Sequence, residues 1–218
     1  MPAASGDLAR RLEHTLLRPE ASAADIARLC AEAREHGLLA VCVAPFRVAQ
    51  AVRLLQGSGV FCVCVAGFPL GSQTAAAKAH EAVEAAAAGA AEIDMVLNVG
   101  ALKDNDEAAV AADIAAVVRA AGVPVKVILE TALLTEAEKV LACRLAADSG
   151  AAFVKTCTGF SGGGATPGDV ALLRASVPAR MGVKASGGIR TRAQAEALLA
   201  AGADRLGTSS SLAILAGA

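Results

Sequence analysis

Eight short strand-like segments, most of them apolar runs, separated by segments with helical signals, limit what this chain can fold into. The clearest runs are Leu38 to Val43, Val60 to Ala66, Ala91 to Val96 and Val123 to Leu129. They are nearly continuous rather than alternating, as strands buried on both faces are. Helix signals stand between them. Ser22 caps a segment with Ile26, Leu29, Cys30 and Ala33 on one face, closed by Gly37. Residues 46–56 read as helix, Thr74 opens one to Ala88, and Asp104 opens one carrying Val110, Ile114, Val117 and Val118. Thr135 with Glu138 and Thr191 with Gln194 make capping boxes, and Thr166-Pro167 joins a cap to proline at the first helical position. Strands are predicted near 12–15, 38–43, 60–66, 91–96, 123–129, 152–155, 181–184 and 204–207. Eight β-then-α units indicate a (β/α)8 TIM barrel forming one domain over residues 1–218, with a doubly wound open sheet as the alternative.

Composition narrows the function by exclusion. Hydrophobic residues make up 55% and charged residues 19%, which suits a packed core rather than disorder. The net charge is −1 with both signs interspersed, so neither nucleic acid nor an anionic membrane is an expected partner. Residues 54–77 carry no charge, but Gly57, Gly59, Gly67, Pro69 and Gly71 interrupt them, and a buried strand between loops fits better than a membrane span. The first twelve residues have no apolar secretory core. Six scattered cysteines without a Cys-x-x-Cys pair read as buried free thiols in a reducing cytoplasm, not as a zinc site.

Active sites of (β/α)8 barrels lie at the C-terminal strand ends. Polar residues predicted there are Glu13, His14, Thr15, Cys42, Asp94 and Glu130, with Lys155 ending the sixth strand and Lys184 the seventh. These two strands are neighbours, so the two lysines approach each other. Like charges about 4 Å apart repel by about 4 kcal/mol at an effective dielectric near 20. Bringing a lysine pKa from about 10.4 to about 7 takes roughly 4–5 kcal/mol. Repulsion plus desolvation is of the right size to leave one amine neutral and able to attack a carbonyl. Asp94 is then placed to move protons through water or to pair with Lys184. Glu13 and Glu130 read as structural, His14 as a hydrogen-bonded barrel residue, and His36 and His80 as exposed helix residues. The loops Ser186-Gly187-Gly188 and Gly207-Thr208-Ser209-Ser210 follow the seventh and eighth strands, where barrels bind phosphate on backbone N–H groups and helix N-termini.

These residues resemble the deoxyribose-phosphate aldolase family. The likeness runs over residues 12–215 through Glu13-His-Thr-Leu-Leu, Gly67-Phe-Pro-Leu-Gly, Glu92-Ile-Asp-Met-Val, Lys126-Val-Ile-Leu-Glu-Thr, Phe153-Val-Lys-Thr-Cys-Thr-Gly-Phe, Val183-Lys-Ala-Ser-Gly-Gly-Ile-Arg and Gly202-Ala-Asp-Arg-Leu-Gly-Thr-Ser-Ser. The resemblance implies a class I aldolase with Lys155 as the Schiff-base lysine, Lys184 as the second lysine and Asp94 as the proton-handling acid. It implies that Thr15 and Cys42 line the pocket, and that Gly159, Gly187, Gly188, Gly207, Ser209 and Ser210 take the substrate phosphate. The implied reaction is reversible cleavage of 2-deoxy-D-ribose 5-phosphate to acetaldehyde and D-glyceraldehyde 3-phosphate, without metal or organic cofactor, by a cytoplasmic homodimer or homotetramer. Glu13 stands where the family usually has Asp, Ala44 where Asn is common, Cys157 where Ser is usual and Ser211 where Gly is common. Phe160 replaces a lysine of some members, and the chain has no Tyr. A phosphosugar isomerase or epimerase with Asp94 or Glu130 as base is the competing reading, and a binding barrel without chemistry is a third.

Overall fold

The computed structural model describes residues 5–217. Its eight strands are β1 (Leu12–Leu16), β2 (Ala40–Val43), β3 (Phe61–Ala66), β4 (Glu92–Val96), β5 (Val125–Ile128), β6 (Phe153–Lys155), β7 (Gly182–Ser186) and β8 (Arg205–Thr208). All pairs are parallel and consecutive, and β8 closes on β1. The chain is a (β/α)8 barrel, not an open doubly wound sheet. The strand starts at Leu38 and Val123 move inward by two residues. Leu38 is buried but donates its N–H to Ala33, and Leu39 to Ala9 and Leu12, so apolar character there reflects loop packing rather than a ladder.

The caps at Ser22, Thr74, Thr135, Thr166 and Thr191 form as expected, each accepting a backbone N–H three residues on. Asp104 does not open the long helix. Asn98 caps a separate short helix, Val99–Lys103, which Asp104 ends, and Asp106 caps Glu107–Ala121 by accepting from Ala109. The break between them runs through Asn105 at φ 56°, a left-handed turn that asparagine tolerates. The segment 46–56 divides into a 3-10 turn, Pro45–Arg47, and the helix Val48–Leu55, and the last helix runs Ser211–Ala216. A first helix, Ser5–Ala9, precedes β1.

Period-two alternation sorts each strand between the barrel lumen and the outer core. Val41, Val43, Cys62, Cys64, Ile93, Met95, Val127, Val154, Val183 and Leu206 pack outward in the main core under the helices. The lumen is divided. On the β2 and β3 side it is apolar, filled by Ala40, Cys42, Val63 and Val65. The other strands send in charges: Glu13, Glu92, Asp94, Lys126, Lys155, Lys184 and Arg205. Two glycines make room for their neighbours. A Cβ at Gly182 would meet the Phe153 ring at 2.0 Å, and one at Gly207 would meet Lys184 Cε at 2.9 Å.

Candidate active site

Register places Lys155 directly opposite Lys184, and Asp94 opposite Lys126. Asp94 Oδ2 accepts from Lys155 Nζ at 2.8 Å and from Lys184 Nζ at 2.6 Å, while its Oδ1 accepts from Lys126 Nζ at 2.8 Å. Glu13 binds Lys184 through one oxygen, and the other lies 3.6 Å from Lys126. Lys126 also pairs with Glu92 at 2.6 Å, and Arg205 Nη1 donates to both Glu92 oxygens at 2.9 and 2.7 Å. Three carboxylates therefore face four cations in one buried cluster.

The cluster fixes most of its own charges. For Asp94, burial opposes ionisation, but Lys126, Lys155 and Lys184 together hold its carboxyl well below the usual carboxylate range. For Glu13, burial is again outweighed, here by Lys126 and Lys184, and its pKa is lowered. Burial works against the charge on Lys184 and Lys126 too, yet Asp94 and Glu13 overcome it and raise both. Arg205 is raised by Glu92 and Glu13 against its own desolvation. Lys155 differs in its surroundings. It has one carboxylate partner, and it shares that oxygen with Lys184. It also faces a cavity of about 330 Å³ at the C-terminal end of the barrel.

Lys126 and Glu92 were not picked out by their sequence positions. The signal was present: Lys126 breaks the apolar run Val125 to Leu129 on the face that period-two spacing assigns to the lumen.

The cavity wall includes Thr15, Gly159, Gly187, Gly188, Gly207 and Ser209. Asp94 and Lys184 lie beneath it, fully buried. Cys42 and Ser210 are not part of this wall. Cys42 packs with Ala40, Val63 and Val65 in the apolar half of the lumen, and burial pushes its thiol up to about 11. Ser210 is the cap residue of the last helix, its N–H bonded to Thr208 Oγ1 at 2.9 Å. Two rim cations escaped the sequence reading: Arg18, paired with Asp25 at 3.1 Å, and Arg190. Gly159, Gly187 and Gly188 have φ of 84°, 96° and 73°, the left-handed conformation that turns successive N–H groups to one side.

Glu130 is bound into the loop after β6. Its carboxylate accepts the Thr158 N–H at 3.3 Å and the Thr158 hydroxyl, and its own backbone sits at φ 57°. Cys157 lies behind this loop, fully buried, with Sγ 3.4 Å from Thr131 Oγ1. Thr131 donates in turn to Asp169, which Lys139 holds at 2.5 Å. Phe160, on the cavity wall, meets Phe68 edge-on at 5.1 Å. His14 bonds Glu32 at 2.9 Å, away from the cluster, and His36 and His80 are exposed. No group of three or more His, Cys, Asp or Glu among the described residues is placed to hold a metal ion.

Known proteins share this fold and much of this sequence. The family model for DeoC/LacD family aldolases matches residues 11–217. Deoxyribose-phosphate aldolase of Brevibacillus brevis is 55% identical over 208 residues, covering 95% of this chain and 94% of the relative. The enzyme of that name from a Geobacillus species is 53% identical, covering 97% and 96%. Among solved structures, the tetrameric deoxyribose phosphate aldolase of Aeropyrum pernix superposes with a TM-score of 0.91 at 36% identity, covering 98% of this chain and 91% of that one. By the family model over nearly its whole length and by these relatives, the chain belongs to the DeoC/LacD family of aldolases.

Proposed function

We propose that this aldolase cleaves 2-deoxy-D-ribose 5-phosphate reversibly to acetaldehyde and D-glyceraldehyde 3-phosphate through a Schiff base on Lys155. The observation that carries this reading is the placement of Lys155 alone, of the clustered cations, on the cavity floor above Asp94 and Lys184. The Lys155 amine attacks the substrate aldehyde carbon, and loss of water leaves a protonated imine. That imine draws electrons from the C2–C3 bond as the C3 hydroxyl gives up its proton, releasing glyceraldehyde 3-phosphate. The remaining enamine takes a proton at C2, and hydrolysis frees acetaldehyde and the amine. Asp94, ionised and within hydrogen-bond distance of the reacting nitrogen, stabilises the imine charge and relays the hydroxyl proton through water. Lys184 positions Asp94. Gly159, Gly187, Gly188, Gly207 and Ser209, with Arg18 and Arg190 at the rim, bind the phosphate.

An isomerase or epimerase reading is weaker on the same geometry. Three lysines make Asp94 a poor base toward a C–H bond, and both oxygens of Glu130 are engaged by Thr158. Incubation in deuterated water separates the two. The aldolase releases acetaldehyde and glyceraldehyde 3-phosphate in equal amounts, whereas conversion to an isomeric sugar phosphate of intact carbon skeleton, with deuterium incorporated and no acetaldehyde formed, would contradict it.

We further propose that residues 1–218 work as one domain, and that the chain acts in a reducing cytoplasm as a homo-oligomer. All six cysteines are free and buried, which suits that compartment. Among the described residues no helix is long and apolar enough to cross a membrane. Assembly rests on the tetrameric relative, and sedimentation of the purified chain tests it: a monomer at micromolar concentration contradicts it.

A further inference from the structure

The N-terminal face of the barrel, opposite the lysines, holds a second cavity of about 520 Å³. Arg10, Arg11, Arg180 and Arg205 line it, and Asp204 is the one acidic residue on its wall. Asp204 is already in use, accepting from Val183 N at 2.8 Å and Arg174 at 3.4 Å. Arg10 and Arg11 each reach a backbone carbonyl, of Leu38 at 3.3 Å and Asp204 at 3.1 Å, rather than a carboxylate. Arg180 forms no hydrogen bond or ion pair with the described residues. The chain as a whole carries a net charge of −1, so this excess of cations comes from placement and not from composition. An apolar floor lies beside them, where the Arg205 guanidinium stacks on the Phe153 ring at 4.5 Å.

We propose that this cavity is an effector site for a small molecule bearing a diphosphate or comparable polyanionic group. Guanidinium groups lining one concavity match phosphate oxygens in charge and fork geometry. The site is joined to the active centre through Arg205, which is at once a wall of the cavity and the outer member of the buried cluster. The path runs Arg205 to Glu92, Glu92 to Lys126, Lys126 to Asp94 and Asp94 to Lys155, each contact 2.6 to 2.8 Å. A polyanion drawing on Arg205 loosens Glu92, which then takes more of Lys126 away from Asp94. Asp94 turns more fully to Lys155 and keeps its amine engaged in the ion pair, so turnover falls.

The test is calorimetric titration of inorganic pyrophosphate into the full chain, with kcat followed at saturating substrate so that competition in the upper pocket is excluded. Arg180→Glu, and separately Arg10→Gln with Arg180→Gln, alter the lower cavity. Arg190→Glu alters the upper one. Binding is expected to weaken at least tenfold in both lower variants and to persist in Arg190→Glu, and the wild-type kcat is expected to fall at least twofold as the lower site fills. Equal binding in wild type and Arg180→Glu, or loss confined to Arg190→Glu, would overturn the site. Binding at the lower cavity with unchanged kcat would overturn its effector role. The binding arm does not depend on which substrate the enzyme cleaves, so its failure is separable from failure of the proposed reaction.

Discussion

Lys155 and Lys184 are alike in sequence setting, each ending a strand before a glycine loop, and the structure separates them by their partners. Lys184 is fully buried between Glu13 and Asp94, while Lys155 meets the cavity. Lys184→Met would leave two buried carboxylates each short of a partner. A loss of about 3–5 kcal/mol is expected in denaturant unfolding, together with a kcat decrease of about 100-fold or more in the variant that remains folded. Asp94 and both lysines were legible from chain position. Lys126 and Glu92 were not, because one charge inside an apolar run resembles a strand edge until closure of the barrel assigns it to the lumen. Cys157 contacts Thr131 Oγ1 through a weak sulfur bond. Cys157→Ser offers a stronger donor in the same space, and kcat within about threefold of wild type is expected in a steady-state assay, the residue lying behind the loop rather than on the cavity wall.

At the scale of elements, the loop after β6 and the start of β8 shape the site by bond and by space. Thr158 holds Glu130 by both its N–H and its hydroxyl. Thr158→Val removes the hydroxyl from a buried carboxylate, and about 1–3 kcal/mol of stability should go with it. Thr158 and Gly159 both line the cavity, so KM for the phosphorylated substrate should rise more than kcat falls. Gly207 acts by space. Gly207→Ala sets a methyl 2.9 Å from Lys184 Cε and displaces the amine from Asp94, so kcat should drop while thermal stability falls by the ~1–3 kcal/mol typical of overpacking. Helix caps at this scale were readable because Ser22, Thr74, Thr135, Thr166 and Thr191 act within one turn of chain. The break at Asn105 was missed because Asn98, Asp104 and Asp106 all have cap chemistry, and spacing alone does not choose among them.

At the scale of the whole molecule, eight alternations sufficed to specify the barrel, whereas the division of its lumen into apolar and charged halves depends on which strands end up opposite one another. That division shapes the pH dependence of stability. The lowered carboxyls of Glu13 and Asp94 contribute fully above the unfolded carboxylate value of about 4, and the contribution is lost as pH falls through their folded values. The thiols act on the other side. Burial raises all six, Cys30 and Cys42 to about 11 and Cys143 to about 12. Their contribution is full below the unfolded thiol value of about 8.5 and is lost above it, at about 1.4 kcal/mol per pH unit for each thiol. Lys184 and Lys126, raised in the fold, begin to lose theirs only above about 10.4. Thermal unfolding should therefore give a nearly level Tm from about pH 5 to 8 and a decline from about pH 9, shallower in Cys62→Ala. A decline that starts only above pH 10 would assign the alkaline limit to the lysines instead.

Central to this account is that Lys155, and no other member of the buried cluster, carries the carbonyl carbon. Incubation of the folded enzyme with acetaldehyde and borohydride, followed by peptide mapping, tests it most directly. The expected result is a two-carbon adduct on the peptide containing Lys155, with turnover lost in proportion. An adduct on Lys184 or Lys126, or an active enzyme that borohydride leaves unmodified and uninhibited, would contradict it.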